Sequence, residues 1–335
     1  MELRRPDTAA VHTFARQRAD RVRFHAWLQW LLDSQLAAAA TLPVVEDLAV
    51  GFDPGGADAW AWQDLLALDV RVGAPPDEFN TQGQDWGLPP FIPWKLRAAG
   101  YEPFVQTIRT SLRHAGGLRV DHVMGLFRLF WIPLDGGQAA GAYVRYPASD
   151  LLDILALESH RAGAFVVGED LGTVEDAVRQ ELAERQILSY RLLWFEPDSP
   201  ERYPHQALAA VTTHDLPTIA GVWTGADLVA QREIGLAPNE DGQAELHRRL
   251  GQRADVEADA SVADVTTGAY RALARAPSRV LMATLDDALG VAERPNMPGT
   301  TDQWPNWSLA LPTPLEDVEA DPTVAAVAEA LNTDR

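Results

Sequence analysis

Apolar and polar positions along the chain follow two periods. Over residues 8–40 the apolar ones recur at helical spacing, at Val11, Phe14, Val22, Trp27, Leu31 and Leu32. Arg16, Arg18, Asp20, Arg21 and Arg23 form the wet face. One long helix is expected there, capped by Asp7 or Thr8 and running toward Pro43. From residue 44 onward short apolar runs take over. Six read as strands: 44–50, 118–123, 165–168, 188–195, 210–213 and 280–284. Helical patterns at 101–115, 149–162, 173–185 and 263–275 lie among them. Thr173 is the expected cap of the third, with Glu175 and Asp176 suiting its dipole. Strands separated by helices indicate an α/β fold, a parallel sheet with helices outside it.

The remaining stretches break these periods. Residues 51–100 are rich in Gly, Pro and Trp, with turn signals at Gly55-Gly56, Gly73-Ala74-Pro75-Pro76-Asp77 and Gly87-Leu88-Pro89-Pro90. A loop this long inside a compact domain is a candidate functional loop. Residues 225–262 are polar helical excursions, and the acidic tail 313–335 reads as a peripheral helix with a frayed end. There is no internal repeat at a fixed short period. No strand-to-helix turn carries a glycine-rich phosphate fingerprint, which disfavours a nucleotide-binding fold.

Composition narrows the partners. The 335 residues suffice for one large barrel or two ordinary domains, and 47% hydrophobic residues can bury a sizeable core. No apolar run approaches the roughly 18 residues of a membrane span. The opening M-E-L-R-R-P-D lacks the apolar core of a secretory signal, so none is expected. Zero cysteines exclude disulfides and thiolate metal sites and fit a cytoplasmic protein. A net charge of -20 repels phosphate backbones and anionic membranes, so neither nucleic acid nor membrane is an expected partner. A neutral substrate is easier to accept. The chain holds 11 Trp against 6 Tyr; indole faces stack on sugar rings, and they also fill cores.

Candidate chemistry sits at strand ends. The run 118–123 closes on Arg119, Asp121 and His122. Arg119 would hold Asp121 ionised, as a poised nucleophile or as half of a strand-end salt bridge. Glu169 follows the apolar Phe165-Val166-Val167, where burial would raise its pKa and keep its proton. Asp215 follows His214 after the next run but one. Carboxyl groups about 5–5.5 Å apart suit a retaining glycosidic mechanism, one attacking the anomeric carbon and the other moving the proton. Asp121-His122 and His214-Asp215 also look like paired metal ligands. Adjacent residues on a strand point to opposite faces, however, and no helical i, i+4 histidine pair is present, so no metal is expected.

Seven runs together resemble the 4-α-glucanotransferases, also called amylomaltases or disproportionating enzymes, relatives of the α-amylase clan. In order they are Asp47-Leu48-Ala49-Val50-Gly51, Gly73-Ala74-Pro75-Pro76-Asp77, Gly83-Gln84-Asp85-Trp86-Gly87-Leu88-Pro89, Arg119-Val120-Asp121-His122, Gly168-Glu169-Asp170-Leu171-Gly172, Thr213-His214-Asp215 and Asn296-Met297-Pro298-Gly299-Thr300-Thr301. The resemblance covers roughly residues 25–312. Position 85 is Asp where many relatives have Asn, and Glu78-Phe79 stand where some carry an aromatic pair.

The resemblance implies a (β/α)8 TIM barrel of the α-amylase type. It implies transfer of α-1,4-glucan segments between maltooligosaccharides, with no cofactor. Asp121 would be the nucleophile, Glu169 the general acid/base and Asp215 the transition-state stabiliser. Arg119, His122, His214, Asp47, Gln84, Trp86 and Asn296 would bind substrate or line the site, Asn296 from the last strand. Residues 1–40 would be a helical segment, 41–312 the barrel portion with insertions at 51–100 (covering the cleft) and 225–262, and 313–335 a tail. Relatives are longer at the N-terminus, so run 44–50 counts as the third strand of eight. A partial barrel of about six strands is therefore expected. Rival readings are an α-glucan hydrolase of the same clan, a glucan-binding chain without activity, and a metal hydrolase using the His-Asp pairs.

Overall fold

The computed structural model describes residues 3–76, 83–137, 140–172 and 174–332. The chain divides into two compact units, Met1–Leu188 and Ser189–Arg335. Each is built on a three-stranded parallel sheet, and five of the six strands involved fall on runs expected from the sequence. No helix among the described residues is long and apolar enough to cross a membrane.

Unit 1 opens with two helices, not one. They are α1 (Ala9–Gln17) and α2 (Ala19–Ala39). The Thr8 side chain caps α1 by accepting from the Val11 N–H. Arg18 leaves the helical region, at φ -119 and ψ 34, and ends that turn. Its own N–H still bonds the Phe14 carbonyl, so the apolar period runs on across a break in the backbone. Phe24, Trp27 and Trp30 of α2 are exposed.

The strands that follow are β1 (Val45–Leu48), β2 (Val70–Ala74), β3 (Gln84–Leu88), β4 (Gly117–Val120), β5 (Arg128–Pro133), β6 (Ala142–Arg145) and β7 (Phe165–Gly168). The helices among and after them are α3 (Ala57–Ala61), α4 (Pro93–Ala98), α5 (Glu102–Ser111), α6 (Ala148–Ala162) and α7 (Asp176–Glu184). The parallel sheet has the order β1-β4-β7. Alternation along β4 buries Leu118 and Val120 in the core with Ile108, Leu152, Leu155, Val166 and Leu182. Arg119 therefore faces the other way, directly opposite Asp47 in the parallel register. Helix α7 begins at Asp176 with Glu175 in the cap position. The expected cap Thr173 lies outside the described residues.

A second sheet in unit 1 was not legible as strands. It has the antiparallel order β3-β2-β5-β6 and draws on the Gly/Pro-rich segment and on the connection after β4. At the register shift between Val72 and Gly73 the strands come very close. A Cβ on Gly73 would lie 2.0 Å from the Gln84 carbonyl oxygen and 2.6 Å from Ile132 Cδ1, so only glycine fits.

Unit 2 has the parallel order β10-β9-β8, built from β8 (Ser189–Leu192), β9 (Ala207–Ala210) and β10 (Val280–Met282). The expected strand at 210–213 is thus displaced toward the N-terminus. Strand β9 pairs with β8 on one side and β10 on the other, and all four of its residues are buried, while Thr212 and Thr213 engage the turn beyond. The helices are α8 (Ile219–Thr224), α9 (Ala226–Glu233), α10 (Glu240–Ala254), α11 (Val262–Ala274), α12 (Leu285–Ala288), α13 (Leu315–Val318) and α14 (Pro322–Asn332). Val265, Ala269, Tyr270 and Leu273 of α11 form the centre of the core with Ile219 and Leu250. The tail is not peripheral: Val327 and Ala330 of α14 are buried in that same core. Its last residues, 333–335, lie outside the described set.

Candidate active site

Each unit carries part of the candidate set. In unit 1 the ends of three adjacent parallel strands supply it. Arg119 donates through Nη1 to Asp47 Oδ1 and Oδ2 at 2.6 and 2.7 Å. Its Nη2 lies 3.0 Å from Asp121 Oδ1. Its side chain is only 14% exposed, so one largely dehydrated guanidinium bridges two carboxylates. The Asp121 N–H donates to the Leu48 carbonyl, which continues the β1–β4 ladder to Asp121.

His122 then takes a left-handed conformation, at φ 46 and ψ 59. That turn aims its backbone N–H at Glu169 Oε2, 2.9 Å away, while the Leu171 N–H donates to Oε1 at 3.0 Å. Burial pushes the Glu169 carboxyl above its ordinary range; the Leu171 N–H opposes this, and the Asp121 charge adds to it. Two neighbouring carboxylates thereby acquire different environments, one against a guanidinium and one dehydrated. Burial, aided by Arg128, lowers His122 to about 4. The imidazole is therefore neutral at neutral pH and can both donate and accept hydrogen bonds.

The Trp86 ring meets His122 edge to face at 5.2 Å. Trp86 Nε1 donates to Gln84 Oε1 at 2.9 Å, so β3 brings both expected residues beside the strand ends. Asp85 pairs with Arg71 at 3.0 Å and accepts from the Gly87 N–H, roles that hold the turn. Glu78 and Phe79 lie outside the described residues. A cavity of about 460 Å³ counts Asp121, His122, Phe52, Trp62, Phe91 and Phe104 among its lining residues.

In unit 2, His214 Nε2 lies 3.2 Å from Asp215 Oδ2. Asn296 Nδ2 donates to Asp215 Oδ1 at 2.6 Å. Asn296 comes from the coil after α12, not from the last strand as expected. Trp307 packs its ring 5.0 Å from that of His214 and is itself exposed. Trp307, Arg294 and Asp227 were not singled out by sequence. Arg294 reaches the Asp215 carbonyl from a distant point in the chain, at 3.3 Å. Among the described residues no three His, Asp or Glu side chains are grouped to hold a metal ion.

Comparison with known proteins gives a consistent result. A family model described as 4-alpha-glucanotransferase matches residues 1–315. A 4-alpha-glucanotransferase of Mycobacterium tuberculosis is 45% identical, over 98% of this chain and 50% of that protein. One of Haemophilus influenzae is 38% identical, over 88% of this chain and 47% of that protein. The chain thus spans about half the length of these curated relatives. The crystal structure of amylomaltase from Corynebacterium glutamicum superposes with a TM-score of 0.88 at 40% identity, covering 95% of this chain and 51% of that one. Amylomaltase from Streptococcus agalactiae in complex with acarbose shares the fold at 18% identity, with a TM-score of 0.80, over 99% of this chain and 66% of that one.

Proposed function

The chain belongs to the 4-alpha-glucanotransferase family, and on that premise we propose that it moves α-1,4-glucan segments between maltooligosaccharides with retention at the anomeric carbon. The observation that carries this reading is the split between two strand-end carboxyls. Asp121 lies against Arg119, and Glu169 is dehydrated with its pKa raised. Asp121 attacks the anomeric carbon as Glu169 gives its proton to the departing sugar oxygen, which leaves a glycosyl ester on Asp121. The acceptor hydroxyl then returns a proton to Glu169 and attacks the same carbon, which frees Asp121. Asp215, with His214 and Asn296 on its two oxygens, suits the holding of sugar hydroxyls in the distorted ring. His122 and Gln84 offer polar contacts, and Trp86 offers an aromatic face to a glucose unit. The chemistry requires no cofactor. A cytoplasmic setting fits a chain with zero cysteines.

Incubation with maltotriose tests the proposal. A ladder of longer oligosaccharides, abolished by Asp121→Asn, is the expected result. Glucose and maltose alone would make the chain a hydrolase. Binding of maltooligosaccharide without turnover, unchanged by Asp121→Asn, would overturn the catalytic reading altogether.

A further inference from the structure

Resting on the role proposed for Asp215, we infer that the buried Asp227–Arg294 pair is a positioning device that fixes the backbone at that residue. Asp227 sits in the first turn of α9 and Arg294 in the coil after α12. Arg294 grips Asp227 with two parallel hydrogen bonds, Nε to Oδ1 at 2.7 Å and Nη2 to Oδ2 at 2.6 Å. Both residues are buried. Gln231 and Gln243 each donate a side-chain amide to Asp227 Oδ2 at 2.7 Å, so the carboxylate is saturated on that side.

The arm of Arg294 that is not used on Asp227 does the positioning. Nη1 donates to the Asp215 carbonyl at 3.3 Å. A planar guanidinium locked at two corners has its third corner fixed in direction, which a flexible ammonium cannot reproduce. The stretch carrying Arg294 is fastened on both sides. The Thr218 hydroxyl donates to the Ala292 carbonyl at 3.2 Å, and Trp304 Nε1 donates to the Arg294 carbonyl at 3.0 Å. Two residues on, Asn296 reaches the Asp215 carboxylate itself. One strap thus holds Asp215 twice, by its main chain through Arg294 and by its side chain through Asn296. Gly221 permits the close approach: a Cβ there would lie 2.5 Å from the Ala292 carbonyl oxygen. Neither Asp227 nor Arg294 touches the reacting atoms in this scheme; they act through Asp215.

The test uses Arg294→Lys, which keeps an ion pair with Asp227 and lacks the fixed third donor. Asp227→Asn, which keeps the size but not the charge, is the second variant. Positioning predicts kcat lower by about 10–100-fold with KM within about threefold, because a misplacement near 1 Å costs about that much in rate. It also predicts amide hydrogen exchange at residues 213–218 at least about tenfold faster in both variants, with α11 unchanged; locally lost fixation reads out in this way. Unchanged exchange and kcat in both variants would overturn the inference. So would equal acceleration in α11, which would make the pair a support of the whole unit. Exchange needs no turnover: if the wild-type chain makes no oligosaccharide ladder, the proposed function fails while faster exchange confined to 213–218 still upholds the positioning role.

Discussion

Asp287 offers a measurement of what burial costs in unit 2. Its carboxyl is fully buried at the start of α12, where it accepts from the Ile219 N–H at 2.7 Å and from the Tyr270 hydroxyl at 2.9 Å. Dehydration outweighs those two donors and raises its pKa from 3.8 to about 6. At about 1.4 kcal/mol per pKa unit, the ionised form is disfavoured in the folded state by about 3 kcal/mol. The sign follows from proton uptake. Between about pH 4 and 6 the folded chain holds a proton at Asp287 that the unfolded chain has lost, so stability falls as pH rises through that window. Above it the full penalty applies. Asp287→Asn keeps the size of the side chain and titrates nowhere, and its altered hydrogen bonds contribute a difference that does not vary with pH. Urea unfolding of both proteins from pH 4 to 7.5 isolates the effect, since every other titrating group cancels in the comparison. The variant should gain about 2.5 kcal/mol on the wild type across the range, the remainder lying below pH 4. A difference constant to within about 1 kcal/mol would refute the reasoning, because it would mean that Asp287 ionises as easily inside as outside.

Further outcomes follow from other parts of the structure. His122 should titrate near pH 4 rather than 6.5 in an NMR titration of the folded chain, and should withdraw stability as pH falls between those values, since the unfolded chain takes up the proton first. A midpoint near 6.5 would remove the case for its burial. Glu169→Gln should slow transfer from maltotriose by about 10²–10⁴-fold. It should slow glycosylation by maltosyl fluoride, whose leaving group needs no proton, much less; equal losses on both donors would exclude an acid role. Gly73→Ala should destabilise unit 1 by about 1–3 kcal/mol or more in urea titration, because its methyl meets the backbone of β3 rather than a movable side chain. Leu155→Ala, at a fully buried position in α6, should cost about 2–5 kcal/mol by the same assay.

Most of the parallel strands were legible as short apolar runs that stop near a charge. Leu118 and Val120 bracket Arg119, and Val166 and Val167 precede Glu169. The same property made Asp121, Glu169 and Asp215 visible as a set, while Asp47 entered through its motif. What stayed hidden depends on partners far along the chain. Strand β5 reads R-L-F-W-I-P, but its antiparallel mates β2 and β6 lie in stretches dominated by glycine, proline and turn residues. Strand β9 is A-L-A-A, a poor strand former by propensity; its two neighbours impose the conformation. The helix break at Arg18 carries neither Gly nor Pro, so nothing in the pattern marks it. Asp227 opens a polar helix and looks solvated; only Arg294, 67 positions later, makes it a buried ion. Asn296 was found through its motif, and its contact with Asp215 depends on a coil whose path no local signal fixes.

The pairing of Asp47 with Arg119 has a further consequence, which concerns chain entropy. In the β1–β4 ladder Val45 sits opposite Gly117, whereas in the β8–β9 ladder Ser189 sits opposite Ala207. The first ladder encloses a segment about four times longer, about two doublings, which adds ~1.2 kcal/mol to its closure. The guanidinium bridge to Asp121 is therefore secured by the more distant of the two closures. Lengthening the enclosed segment is cheap by the same law, since even doubling it adds only ~0.6 kcal/mol. The Arg119 bridge between Asp47 and Asp121 should thus tolerate insertions at exposed turns between β1 and β4 far better than it tolerates a single slip of register at either strand.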